Sequence, residues 1–309
     1  MKNLRLQLAL AAWAAALAAS AQQEVMVSQY MFNGLFLNPA YAGSHGYASS
    51  SLLHRQQWLQ VEGAPRTSML AIDAPAWGDR MGLGFSLVHD QIGISRDIDF
   101  SGHYAYRMRV GKRSRLALGL RAGLSVYSAR ISELRYWDAN DPLYQQDIVN
   151  QPVGKFGFGL YWHDARSYVG ISVPTIYAAD GRITMDAPDA LRHYFTQHYY
   201  VHAGRVFLLG EDFDIKPSTM IKYTKNAPIE ADVNCNVLYR ERIWAGIGYR
   251  TGDALVAMLE YQVTPQLRVG YAYDMTMSKL RTYTTGSHEV MLGIDFGRDL
   301  VRIKTPRYF

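Results

Sequence analysis

From Tyr47 onward, apolar and polar residues alternate nearly one for one. Ile229, Ala231, Val233, Cys235, Val237 and Tyr239 fall on one face of a stretch whose other face is Glu230, Asp232, Asn234 and Asn236. Near the end of the chain, His288, Val290, Leu292, Ile294 and Phe296 oppose Glu289, Met291, Gly293 and Asp295. Leu116, Leu118, Leu120, Ala122, Leu124 and Val126 oppose Ala117, Gly119, Arg121, Gly123 and Ser125 in the same way. A period of two sustained over such lengths is a strand pattern, not a helix pattern. It predicts fourteen strands, at 47–60, 67–76, 79–89, 95–110, 114–127, 153–163, 167–176, 198–209, 213–223, 229–239, 243–251, 254–263, 267–274 and 286–296. Most reach about ten residues, longer than the usual globular strand and long enough to cross a bilayer at a tilt.

The connections carry a second regularity. The even-numbered ones are short and turn-like: "AWGD", "GKRS", "HDAR", "LGED", "YRER" and "TPQ". The long ones, 128–152, 177–197 and 275–285, and a shorter one at 61–66, are all odd-numbered. Odd and even connections lie at opposite ends of an up-and-down sheet, so one rim is tight and the other elaborate, as in outer-membrane barrels. The expected fold is all-β: a transmembrane antiparallel up-and-down β-barrel of about fourteen strands, with a short N-terminal plug or collar segment. An even count places both termini on the tight rim, which is then periplasmic. A secreted β-sandwich also alternates. It would favour shorter strands and a polar solvent face, and it would not segregate loop lengths by parity. Here the less apolar face is rich in Gly, Ser and Ala with scattered charges, including Arg121, Glu230, Asp232, Glu289 and Asp295, as expected of a lumen. Tyrosines near segment ends, such as Tyr127, Tyr168, Tyr177, Tyr223, Tyr239 and Tyr261, suit a membrane–water interface.

The start of the chain indicates export. Lys2 and Arg5 precede an apolar run, followed by Ala19-Ser20-Ala21 and then Gln22, the pattern of a signal peptide cut after Ala21. The expected organisation is a signal peptide at 1–21, an N-terminal periplasmic plug or collar at 22–46, an outer-membrane barrel at 47–296 and a periplasmic tail at 297–309. Losing Lys2 and Arg5 lowers the formal net charge from +5 to +3, too mild an excess to indicate a nucleic-acid partner. Cys235 is the sole cysteine, which excludes an internal disulfide. No later stretch approaches the 18 apolar residues of a membrane-spanning helix.

Residues that could carry chemistry are sparse. His198 and His202, four apart, would share a metal on a helix, but on a strand they stand about 13 Å apart. His89-Asp90 and His163-Asp164 are acid–His pairs, and each falls at a strand end where such residues are ordinary turn composition. Cys235 lies on an apolar face and reads as a packing residue. No catalytic, cofactor-binding or metal-binding residue is assigned, and the chain is expected not to be an enzyme.

Several stretches are more specific. "SQYMFNGLFLNPAYAGS" from Ser28, "HRQQWLQVEGAPRTSML" from His54, "GLGFSLVHDQIG" from Gly82, "FGFGLYW", "YVGISVP", "IKPSTMIKY", "GYAYD", "GSHEVMLGIDF" and the ending "TPRYF" resemble the PorP/SprF family, close to the PorP branch. The resemblance covers nearly the whole mature chain. It implies a non-enzymatic outer-membrane component of the type IX secretion system of Bacteroidota, supporting export or surface attachment of cargo proteins that carry a C-terminal sorting domain. The partners it implies are a periplasmic OmpA-like peptidoglycan-binding protein, a ring lipoprotein complex and the sorting domains themselves. An outer-membrane channel or hydrophobic-ligand transporter is the alternative.

Two segments outside the alternating pattern are candidates for partner contact. Tyr30, Phe32, Phe36 and Tyr41 need a surface to bury against, either the mouth of their own barrel or a periplasmic partner. The tail after Phe296 is basic and ends on aromatics, which makes Arg302, Arg307, Tyr308 and Phe309 candidates for an acidic groove.

Overall fold

In a computed structural model of the protein, residues 25–78, 80–133, 147–180, 197–225 and 227–297 are described. The expected signal peptide and most of the tail lie outside them. The wall consists of β1 (Ala48–Gln56), β2 (Arg66–Ala76), β3 (Met81–Ile92), β4 (Ser95–Val110), β5 (Ser114–Ala129), β6 (Ile148–His163), β7 (Ser167–Asp180), β8 (His198–Arg205), β9 (Phe207–Leu208), β10 (Phe213–Thr224), β11 (Glu230–Tyr239), β12 (Ile243–Arg250), β13 (Ala254–Gln262), β14 (Leu267–Thr276) and β15 (Ser287–Phe296). Each strand pairs antiparallel with its neighbours, and β15 pairs with β1 from Phe296↔Ala48 to His288↔Gln56, which closes the cylinder. β8 and β9 both pair with β10 and form one span, interrupted at Val206, whose amide donates to the Arg166 carbonyl instead. The wall is therefore a closed barrel of fourteen spans.

Alternation and wall agree closely. Strand ends differ mainly where polar residues or prolines blur the pattern. β6 begins at Ile148, pairing with β5 across an irregularity between Tyr127 and Ala129. β7 runs on to Asp180 past Pro174, and its register with β6 shifts between Phe156 and Phe158. Proline cannot donate to the ladder, which is why such irregularities collect beside it. The connections at 77–80, 111–113, 164–166, 209–212, 240–242 and 263–266 make one tight rim. The other rim holds 57–65, 93–94, 251–253 and 277–286, with the described residues 130–133, 147, 197, 225 and 227–229 of the remaining connections. In the 130–147 connection, Asp147 accepts the amide and hydroxyl of Ser132, and these bonds hold its carboxyl below the usual carboxylate range.

The outward face is apolar over the middle of the wall: Leu52, Phe85, Phe100, Leu120, Ile171, Ile221, Val233, Ile247, Leu259 and Leu292 are all exposed on it. Tyr223 and Tyr261 also stand outward, among Tyr104, Tyr199, Tyr249 and Tyr271. Tyr127 and Tyr168 do not join this girdle. Their strand parity turns both rings into the lumen, where they are buried. Arg121, Asp232, Glu289 and Asp295 face inward and are buried, with Glu230 half-buried beside them. Among the described residues no helix is long and apolar enough to cross a membrane; the crossing is made by strands.

The two faces differ in what they tolerate. Val233→Arg and Leu292→Arg place a charge in hydrocarbon and are expected to cost about 2–4 kcal/mol each at mid-bilayer. Urea unfolding in phospholipid vesicles measures this loss, against Glu241→Ala in an exposed turn as the unaffected control.

Candidate functional site

The described residues ahead of β1, from 25 onward, do not lie across the mouth of the barrel; they run through its lumen. Residues 30–41 fold into three short turns: a 3-10 helix at Tyr30–Phe32, helix α1 at Gly34–Leu37 and a 3-10 helix at Pro39–Tyr41. Asn38 joins the last two, its side chain accepting the Ala40 amide and donating to the Leu160 carbonyl of β6. Such compact turns suit a sequence broken by Gly, Asn and Pro, and they let aromatic side chains leave in several directions. Gly43 has a φ of +66°, a left-handed conformation that turns the chain toward β1.

The loop-rich end of this segment is held by charge. Glu289 accepts the Ser28 and Gln29 amides at 2.8 and 2.9 Å and also pairs with Arg55 at 3.1 Å. The Ser28 hydroxyl donates to Asp274 at 2.7 Å and accepts from Arg55 at 3.0 Å and from Arg250 at 3.2 Å. Arg55 reaches Asp274 at 2.6 Å, and Arg250 bridges Asp232 at 3.0 Å and Asp274 at 3.2 Å. These side chains are almost wholly buried. Charges removed from water need partners and further hydrogen bonds to be tolerated, and Ser28 supplies some of those hydrogen bonds. The network draws on β1, β11, β12, β14 and β15, so it also ties the closing strands to one another.

The middle of the segment is held by rings. Phe32 meets Trp244 at 6.0 Å between centroids, and the Lys216 ammonium lies 5.3 Å from Phe32 and 5.7 Å from both Tyr168 and Trp244. A cation set among aromatic faces keeps much of its electrostatic stabilisation without water. The Tyr30 hydroxyl accepts from Asn234 at 2.8 Å. Further along, Tyr41 packs on Tyr161, which stacks on His202. At the tight rim, Asp73 accepts the Gly43 amide and Arg107 donates to the Ala42 carbonyl.

The wall is shaped to this segment. A Cβ at Gly82, Gly119, Gly159 or Gly270 would collide with Ala42, Ala40, Asn38 and Gln29 respectively. Each of these glycines faces the lumen; with no side chain intervening, the segment's backbone approaches Gly82 and Gly119, and the Asn38 and Gln29 side chains approach Gly159 and Gly270. At Gly293 the lumen is filled instead by the Arg268 side chain, so that position is not free to take a larger residue.

The structure places the proposed contact residues as follows. Tyr30, Phe32 and Tyr41 are buried in the lumen at 2, 5 and 4% exposure, and Phe36 is half-buried. Their rings lie against this chain's own barrel, and meeting a partner would require the segment to leave it. Arg302, Arg307, Tyr308 and Phe309 lie outside the described residues. Phe296, the end of the wall, stands on the tight rim, whereas Ser28 bonds residues close to strand ends on the loop-rich rim. The two ends of the described chain thus lie toward opposite rims, because the leading segment spans the lumen before β1 begins. His198 and His202 both point inward and are buried. His163-Asp164 lies on the tight rim and His89-Asp90 toward the other, so the pairs do not converge. Cys235 is half-buried on its strand, and among the described residues no three His, Cys, Asp or Glu side chains are grouped to hold a metal ion. The Arg55–Asp274–Glu289–Arg250 network was not evident from the sequence. Each member stands on the lumen face of its strand, but nothing in a strand pattern shows which inward charges meet.

A family model described as "Type IX secretion system membrane protein PorP/SprF" matches residues 19–294. No curated protein matches the sequence significantly. Among solved structures, the chain is similar to the CymD monoaromatic hydrocarbon channel, with a TM-score of 0.53 and 13% identity over 85% of this chain and 91% of that one. It is also similar to the toluene transporter TbuX of Ralstonia pickettii, with a TM-score of 0.48 and 9% identity over 85% of this chain and 92% of that one. For the outer membrane protein Omp33 of Acinetobacter baumannii the TM-score is 0.47 and the identity 8%, over 81% of this chain and 99% of that one. At 13% identity, the likeness to CymD is one of fold, that of an outer-membrane barrel.

Two variants separate seat from segment. Arg55→Met leaves Asp274 and Glu289 short of a buried cation and is expected to destabilise the protein by about 3–5 kcal/mol in urea unfolding. Gly119→Val with Gly159→Val fills the space taken by 38–40 from the wall side. Chymotrypsin should then cut at Tyr30, Phe32 or Tyr41, read by mass spectrometry, while the barrel keeps its heat-modifiable migration in gels. Continued resistance would show that the segment does not depend on those two glycines.

Proposed function

Because this chain belongs to the PorP/SprF family of type IX secretion system membrane proteins, we propose that it supports export or surface attachment of cargo bearing a C-terminal sorting domain, acting by protein–protein contact and without turnover chemistry. The observation that carries this reading, beside the family, is the filled lumen. Residues 26–42 are almost all buried between inward-facing strands, held by hydrogen bonds to buried charged side chains of the wall at one end and by rings in the middle. A barrel occupied in this way serves as a platform, and residues 22–46 act as its plug. The integral outer-membrane location follows from the barrel and the family. The tight rim is assigned to the periplasm and the longer connections to the outside, from the loop asymmetry usual in such barrels.

The partners assigned to this platform are other secretion components: the periplasmic OmpA-like peptidoglycan-binding protein, the ring lipoprotein complex and the sorting domains of cargo. With Tyr30, Phe32 and Tyr41 occupied by the lumen, contact falls to the rims and to the tail carrying Arg302, Arg307, Tyr308 and Phe309. The alternative, a channel or hydrophobic-ligand transporter, requires a path past the plug. CymD is itself described as a hydrocarbon channel, but its likeness here extends to fold and not to site.

Deleting the gene tests the proposal. The expected result is cargo trapped in the periplasm, released again by the intact chain. Normal surface display in the deletion strain would sink the reading. Liposomes carrying the purified protein are expected not to swell in small sugars; rapid swelling would favour the channel.

A further inference from the structure

The tight rim is electrically lopsided. Arg80, Arg109, Lys112, Arg113 and Arg166 are all exposed there, on three consecutive hairpins, with Arg115 half-buried among them. Arg109 and Arg115 are direct partners across β4 and β5. Both share the inward parity of Arg107 and Ala117 and so face the mouth. Their outward neighbours Met108, Val110 and Leu118 continue the apolar band toward the turn. Of the two acids in these turns, Asp79 lies outside the described residues, and Asp164 is occupied by its own turn, accepting the Arg166 and Ser167 amides at 2.7 Å each. Among the described residues, Arg80, Arg109, Lys112, Arg113 and Arg166 make no ion pair. The neighbouring arc is balanced: Glu211, Asp212 and Glu241 stand with Arg240 and Arg242, and Arg240 pairs with Asp212 at 3.0 Å.

We infer that this basic arc, from the β2–β3 turn to the β6–β7 turn, docks an Asp- and Glu-rich segment of a protein partner. The inference deepens the contact function proposed above and rests on it. The cations border the mouth and the turns, while the flank beside them is apolar, which disfavours lipid headgroups as the occupant. From β3 to β7 the arc spans about 20 Å at the usual strand spacing, wider than a single phosphate can bridge. A partner of opposite charge would meet Arg80, Arg109, Lys112, Arg113 and Arg166 and gain orientation as well as affinity.

The test uses the purified full-length protein in detergent and a deca-glutamate peptide. Saturable binding that weakens with salt is expected, falling about tenfold or more in Lys112→Glu/Arg113→Glu. Arg240→Glu/Arg242→Glu changes net charge equally on the balanced arc and is expected to bind within about twofold of the parent. All four positions are exposed turn residues, and heat-modifiable migration confirms that each variant is folded. Equal loss in both variants would overturn the inference, as would the absence of peptide binding. Displacement of the peptide by inorganic phosphate at matched ionic strength, or by phosphatidylglycerol vesicles but not neutral ones, would overturn it in favour of a free anion or a lipid. If cargo display needs the protein but not the arc, the arc fails alone. If display does not need the protein, the secretion reading fails while the peptide result stands.

Discussion

An amide left unpaired in hydrocarbon costs several kcal/mol, and a sheet that crosses a membrane can avoid that cost only by closing. The nine residue pairs between β1 and β15 are where this chain meets the requirement. Once the wall is closed, every strand has one face toward lipid and one toward a shared interior. The outward face can be apolar throughout. The inward face need not be, and here it carries Arg55, Asp99, Arg121, Lys216, Asp232, Arg250, Asp274 and Glu289 in buried positions.

Those charges give the interior its character. Arg121 and Lys155 gather Asp97 and Asp99 on the β4–β6 side, and Arg55 and Arg250 gather Asp274, Glu289 and Asp232 across the closure. The second group alone takes in part of the leading segment, through Ser28 and Gln29. Burial of Tyr30, Phe32 and Leu35 adds an apolar contribution of about 1.5–3 kcal/mol for each large side chain. The segment is therefore held by two different forces. Hydrogen bonds from Ser28 and Gln29 to ion-paired side chains of the wall fix its end near the loop-rich rim, and ring packing fixes its middle.

This division bears on how such a barrel can work. With the lumen occupied, the surfaces left for other molecules are the rims and the lipid flank. The longer connections decorate one rim. On the other, short turns bring charged side chains close together, cationic on the arc from β3 to β7 and mixed beyond it. Short turns on a rigid wall hold such charges in fixed relation, which suits recognition better than a mobile loop would.

Much of this was legible in the chain. Alternation set the number of strands, the face each residue takes and the parity of the connections, because a strand's side chains have no freedom to choose sides. The wall closes in the order the sequence implies, and Glu289, Asp232 and Arg121 stand on the face their neighbours predict. What alternation could not supply was depth and meeting. Tyr168 near a segment end looks like an interface residue; only the closed barrel shows its ring turned inward beside Lys216. The glycines at 82, 119, 159 and 270 read as generic lumen residues until the leading segment is found lying against them. Arg55 and Asp274 are 219 residues apart, and their contact follows from the curvature and register of the whole cylinder. Local sequence specifies which way a side chain points; which side chain it reaches is decided by the closure of the sheet.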